Sequence, residues 1–131
     1  MPLPDDILEP ISPDAPVGAD LRYEAVYDEI REAREEELDL PQGDWQRERK
    51  TADFAKVLKL ATDVLQKRSK DLQVAAWLTE AKLRREGFQG LHEGIDLLRG
   101  LLDRYWEGLY PPIEDGDVDF RATPLRWIES Y

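Results

Sequence analysis

The sequence predicts an all-α protein: a compact antiparallel helical bundle of five or more helices behind an extended proline-rich N-terminal leader. Three observations carry this prediction. All nine prolines lie within the first 41 residues or after Tyr110. Proline in a helix interior removes a hydrogen bond and clashes with the preceding turn, at about 3 kcal/mol, so the intervening stretch is free to be helical. Within it, apolar residues recur at spacings of three and four, which places them on one face of a helix. Gly87, Gly90 and Gly108 then fall where those stripes stop, as glycine does at helix ends.

Residues 1–20 carry Pro2, Pro4, Pro10, Pro13 and Pro16, each disfavouring helix at the residue before it. Apart from a short turn at Asp5–Leu8 this leader is expected to be extended, with Ile7, Leu8, Ile11 and Val17 available to pin it to the body. Helix one is expected from Asp20, as N-cap, to about Glu37, with Tyr23, Val26, Tyr27, Ile30 and Ala33 as its apolar stripe. Glu35, Glu36 and Glu37 sit at the negative end of the helix dipole, where fraying is expected. Leu38–Thr51 reads as a loop, punctuated by Pro41 and Gly43 and carrying Trp45 among Arg47, Glu48, Arg49 and Lys50.

Helix two is expected from about Ala52 to Lys67, burying Phe54, Val57, Leu58, Ala61, Val64 and Leu65. Ser69 is the expected N-cap of helix three, which runs to about Glu86 and buries Leu72, Ala75, Ala76, Thr79 and Leu83. The short connection makes helices two and three antiparallel neighbours. Helix four is expected over Leu91–Glu107. Its stripe of Leu91, Ile95, Leu98, Leu102, Tyr105 and Leu109, widened by Leu97 and Leu101, marks it as the central helix. After an acidic loop, Thr123-Pro124 reads as the start of a fifth helix, with threonine as cap and proline at the first position. With no stop signal before Tyr131, the expectation is a single helical domain over 21–131, the N-terminal part of a longer protein.

The chain has 131 residues and a net charge of −11. That length suits one domain with one core, and the charge opposes nucleic acid and anionic membrane, whose recognition needs clustered Lys and Arg. A basic protein partner is compatible with it. There is no cysteine, so no disulfide framework or thiolate chemistry, as suits a reducing cytosol. No basic-then-apolar signal segment opens the chain, and no apolar run approaches a membrane span.

Candidate chemistry is sparse. His92 is the single histidine, and one imidazole without cysteine supplies no zinc set. The acids of Glu32–Asp39 follow a helical pattern, and Asp115-Gly116-Asp117-Val118-Asp119 lacks the terminal glutamate of a calcium loop. Ser12, Ser69 and Ser130 have no nucleophile context, and no glycine-rich phosphate loop occurs. No catalytic, cofactor or metal residue is therefore assigned. Trp77, Trp106 and Trp127 fall on helices, where core packing is expected. Trp45 lies on a loop beside arginines, a common composition for interface anchors; folding back to close the core is the alternative.

Arg68-Ser69-Lys70-Asp71-Leu72-Gln73, continuing into Ala76-Trp77-Leu78-Thr79-Glu80-Ala81, is similar to the N-terminal domain of the ImpA (TssA) proteins of bacterial type VI secretion systems. Further segments agree in order. Pro16-Val17-Gly18-Ala19-Asp20-Leu21-Arg22-Tyr23 precedes Tyr27–Arg34, followed by Gly43-Asp44-Trp45, Gly87–Leu91, Tyr105-Trp106, Leu109-Tyr110-Pro111 and Pro124–Ile128. Val17 stands where the family often has cysteine and Phe54 where it often has tryptophan. The C-terminal ring-building part of family members has no counterpart in these residues.

The resemblance implies a cytoplasmic, non-enzymatic protein that helps organise the baseplate, tail tube and sheath of a phage-tail-like injection machine. This domain would be its docking module for other secretion components, without cofactor, nucleic acid or membrane insertion, and the full-length protein would be a homo-oligomer through other regions. The expected contact surface is Trp45, Arg47 and Arg49 together with Asp20, Arg22 and Tyr23. Two other readings stay open: a self-association or bracing module, and a carboxylate hydrolase, which a deep pocket with convergent acids would favour.

Overall fold

The computed structural model describes residues 3–35, 52–111 and 119–129. Within them lie four helices: α1 (Ala25–Arg34), α2 (Phe54–Lys67), α3 (Leu72–Tyr105) and α4 (Asp119–Glu129). No strand forms among the described residues; two isolated bridges, Gly18 with Ser69 and Asp71 with Tyr110, take its place. Among the described residues the expected helices three and four are the two arms of α3. The arms meet at Gly87, whose φ of 66° and ψ of −145° break the helix in a region open essentially to glycine alone.

The arms fold back on each other. An ideal Cβ on Gly94 would lie 2.6 Å from Thr79 Oγ1, so glycine there permits the close approach. Lys82 on the first arm is fully buried and its ammonium lies 2.9 Å from Glu93 on the second, while also pairing with Glu86. Burial opposes that charge, but the hydrogen bonds and fields of both carboxylates hold the ammonium above its ordinary value. Lys82 thereby staples the hairpin shut.

The first arm is the central helix. Leu72, Val74, Ala75, Ala76, Leu78 and Ala81 all lose essentially their whole surface, and Trp77, Thr79, Glu80 and Lys82 are buried with them. Burial on every face means neighbours on every face. α2 lies along it, antiparallel, with Arg84 over the Phe54 ring at 5.7 Å. α1 runs beside it from Tyr27 near Asp71 to Arg34 near Glu80. The second arm, expected to be central, buries Leu97, Leu98 and Leu101 but leaves Ile95 48% exposed. A broad apolar stripe reports apolar surface, and here part of that surface faces outward.

Helix ends also differ from expectation. α1 starts at Ala25 rather than after Asp20, because the Asp20 carboxylate accepts the Arg22 main-chain N–H at 3.0 Å and holds residues 20–24 in a turn. The cap of α3 is Asp71, which accepts the N–H groups of Gln73 and Val74 at 2.8 and 3.2 Å, while Ser69 is buried in the bridge to Gly18. Pro124 lies inside α4 rather than opening it. The helix runs through it, forgoing one main-chain hydrogen bond, and the ring is buried.

The leader is a string of turns, tied down at many points, rather than an extended segment. Ile7 is buried in the core. The Lys70 ammonium donates to the carbonyls of Ile7 and Leu65 at 2.6 Å each, and Tyr105 Oη donates to Leu8 O at 2.7 Å. Main-chain bonds from Ala19 N to Arg68 O and from Lys70 N to Val17 O complete the strap. It requires Gly18: φ is +75°, and an added Cβ would lie 2.1 Å from Arg68 O.

Candidate interaction surface

The segment that enters α1 carries three of the predicted contact residues. Asp20 accepts from Arg22 three times through the side chain, with Nε at 3.2 and 3.0 Å from its two oxygens and Nη2 at 2.9 Å. This is the fork geometry in which a guanidinium is most specifically held. Burial alone would raise the Asp20 carboxyl, but the hydrogen bonds and charge of Arg22 hold it below its ordinary value. The pinned turn displays Tyr23, 93% exposed, with the Arg22 guanidinium 5.8 Å from its ring centre. Tyr23 is therefore no part of the buried stripe expected for helix one.

Beside Tyr23 a shallow groove of about 400 Å³ opens between α1, the start of α3 and α4. Arg22, Tyr23, Tyr27 and Arg31 form one wall; Gln73, Pro111, Thr123 and Pro124 form the other. Arg31 is held over two rings, 5.6 Å from Tyr27 and 5.8 Å from Trp77. Those rings meet edge to face at 5.2 Å. Cation–π contact fixes the guanidinium plane at the cost of little freedom.

Under the groove lies a polar support. Tyr27 Oη donates to Asp71, which is fully buried. Burial pushes the Asp71 carboxyl up to about 6, against the Tyr27 and main-chain hydrogen bonds that favour its charge. Burial beside that acid likewise raises the Tyr27 phenol above its ordinary value. Lys70, one residue earlier, is fully buried, and burial pushes its ammonium down to about 8. The run Arg68–Gln73 thus acts in the architecture: it caps α3, ties down the leader and braces the groove floor. At the far side Arg34 donates to both oxygens of Glu80 at 2.8 and 3.0 Å and lies 5.0 Å from the Trp127 ring of α4.

Trp45, Arg47 and Arg49 lie outside the described residues, so Asp20, Arg22 and Tyr23 are the predicted contact residues that the structure brings together. The sequence reading missed Arg31, Gln73, Pro111 and Pro124, which only folding assembles. It also expected Trp106 in the core, and the residue is 44% exposed. His92 is exposed and pairs with Asp96 at 3.3 Å. Among the described residues no three His, Cys, Asp or Glu side chains gather so as to hold a metal ion, and no helix is long and apolar enough to cross a membrane.

Comparison with known proteins places this geometry. The chain is 34% identical over 125 residues to the type VI secretion system component TssA1 of Pseudomonas aeruginosa, an alignment spanning 93% of this chain and 36% of that protein. It also superimposes with a TM-score of 0.85, at 36% identity, on the N-terminal domain including the conserved ImpA_N region of the TssA component from Burkholderia cenocepacia. That match covers 99% of this chain and 48% of the other. The chain thus spans between a third and a half of the relatives it matches. The family model for ImpA, N-terminal, type VI secretion system matches residues 8–130, and the chain belongs to that family.

Proposed function

We propose that this domain is a non-enzymatic docking module of a type VI secretion assembly protein. It acts in the cytoplasm by recognising other components of the apparatus, in its baseplate, tail tube or sheath. The observation that carries the reading is Tyr23, held 93% exposed on a turn locked by the Asp20–Arg22 fork. A rigid, solvent-facing aromatic beside arginine loses little entropy on contact and is the commonest kind of binding anchor. Family membership supports the setting. Arg22 and Tyr23 replaced by alanine, with helicity and melting checked by circular dichroism, should abolish capture of apparatus proteins by the tagged domain. Capture equal to the wild type would remove this surface.

A second reading, self-association or bracing of other regions of the protein, is favoured by a separate feature. Phe88, 86% exposed, and Ile95 stand on the outer face of the second α3 arm, beside a groove lined by Leu91 and Ile128. Light scattering of the isolated chain separates the two readings: a mass that does not change with concentration counts against self-association.

A further inference from the structure

We infer that, in the full-length protein, the polypeptide following residue 131 forms a helix that lies on Phe88, Leu91 and Ile95 of the same copy. This rests on the bracing reading above and names what is braced. In the second α3 arm Phe88, Leu91, Ile95, Leu98, Leu102 and Tyr105 recur at alternating spacings of three and four. Such a row is the seam on which one helix receives another. Its C-terminal half has a neighbour, since Leu98 and Leu102 are flanked by Leu125 and Ile128 of α4. Its N-terminal half is open, with Phe88 86% and Ile95 48% exposed.

The direction of α4 leads the chain to that open half. Leu125 shares a groove with Leu98 and Leu102. Ile128, further along α4, shares that groove and also the next one, with Phe88, Leu91 and Ile95. α4 therefore runs antiparallel to the second arm, and its last turn heads for Phe88. Phe88 lies about 10 Å along the arm from Ile95 at the helical rise. About two helical turns past Ile128 span that gap, with apolar residues about four and seven positions on. A separate molecule gains too little here. Even a whole aromatic side chain buries only about 150–250 Å², and the open patch is three side chains, short of the about 800 Å² per partner of a stable interface. A segment tethered beside the seam needs no such area, because its effective concentration is about millimolar. The relatives have chain to supply it: the matched region is 48% of the Burkholderia cenocepacia N-terminal domain chain and 36% of TssA1.

The test replaces Phe88 with the photo-cross-linker benzoylphenylalanine in the full-length protein and maps the adduct by mass spectrometry. The cross-link should run at monomer size on a denaturing gel and map beyond residue 131. An adduct of dimer size would give the face to a second copy, overturning this assignment while leaving self-association standing. An adduct confined to residues 1–131, an adduct with another apparatus protein, or no adduct at all would overturn both the assignment and the bracing reading. The 131 residues contain no cysteine, so Ile95→Cys supplies an independent rate. Its alkylation by N-ethylmaleimide, followed on the peptide that carries it, should be about tenfold slower in the full-length protein than in the 131-residue chain. That is the effect of a cover open about a tenth of the time. A Tyr23→Cys reporter should react equally fast in both. Equal rates at Ile95→Cys, or the same slowing at Tyr23→Cys, would overturn the assignment.

Discussion

Replacing Tyr27 with phenylalanine should destabilise the domain by an amount that depends on pH. The substitution removes one hydroxyl and keeps the ring, with its edge-to-face contact to Trp77 and its place under Arg31. What is lost is the hydrogen bond to the buried Asp71 carboxylate. Burial raises that carboxyl to about 6 in the folded protein, against about 3.9 in an unfolded chain. A folded value above the unfolded one means that its stability contribution is complete below about 3.9 and is lost as pH rises through about 6. The gap corresponds to roughly 3 kcal/mol in the wild type. At pH 8 Asp71 is charged and the lost bond costs about 2–3 kcal/mol; at pH 4.5 it is largely protonated and the cost is about 1 kcal/mol. By linkage, that difference is a further rise of about one unit in the Asp71 carboxyl of the variant. Urea unfolding of both proteins at the two pH values measures it, because the titration of all other acids is common to both and cancels. Equal losses at both pH values, or an Asp71 carboxyl that falls on substitution, would refute the reasoning. Asp71→Asn, which keeps the cap but cannot ionise, should abolish the difference.

Other outcomes follow from particular contacts. Gly18→Ala should cost about 3 kcal/mol or more, since a positive φ and a clash with the Arg68 carbonyl add together. Gly87→Ala has a positive φ with open space around it and should cost only about 1–3 kcal/mol, so chemical denaturation should rank the two. Arg34→Ala removes the fork on the buried Glu80 and should cost about 3 kcal/mol, with α4 losing hydrogen-exchange protection as Trp127 loses its cover. The Lys70 ammonium is lowered to about 8 from about 10.4 unfolded, so its contribution is complete above the unfolded value and lost as pH falls through 8. Stability should therefore rise between pH 8 and 10.5 in the wild type, and Lys70→Met should remove that rise.

The sequence by itself determined where helix is allowed. Proline placement, the three-and-four spacing of apolar residues and the glycine at 87 locate α2 and both arms of α3 to within a few residues. These are local properties, since a missing N–H or a Cβ clash acts within one turn of chain. Only the tertiary structure decided which faces are covered. Tyr23 and Ile95 fit apolar stripes and yet stand in water, because a stripe records only that a face is apolar and not that a neighbour reaches it. Lys70, Asp71 and Lys82 are charged and yet buried, because folding brings carbonyls, a phenol and carboxylates such as Ile7 O, Tyr27 Oη and Glu93 to satisfy them. The groove beside Tyr23 was illegible for the same reason. Its described lining comes from residues 22–31, 73, 111 and 123–124, and no pattern within any one of these stretches encodes their meeting.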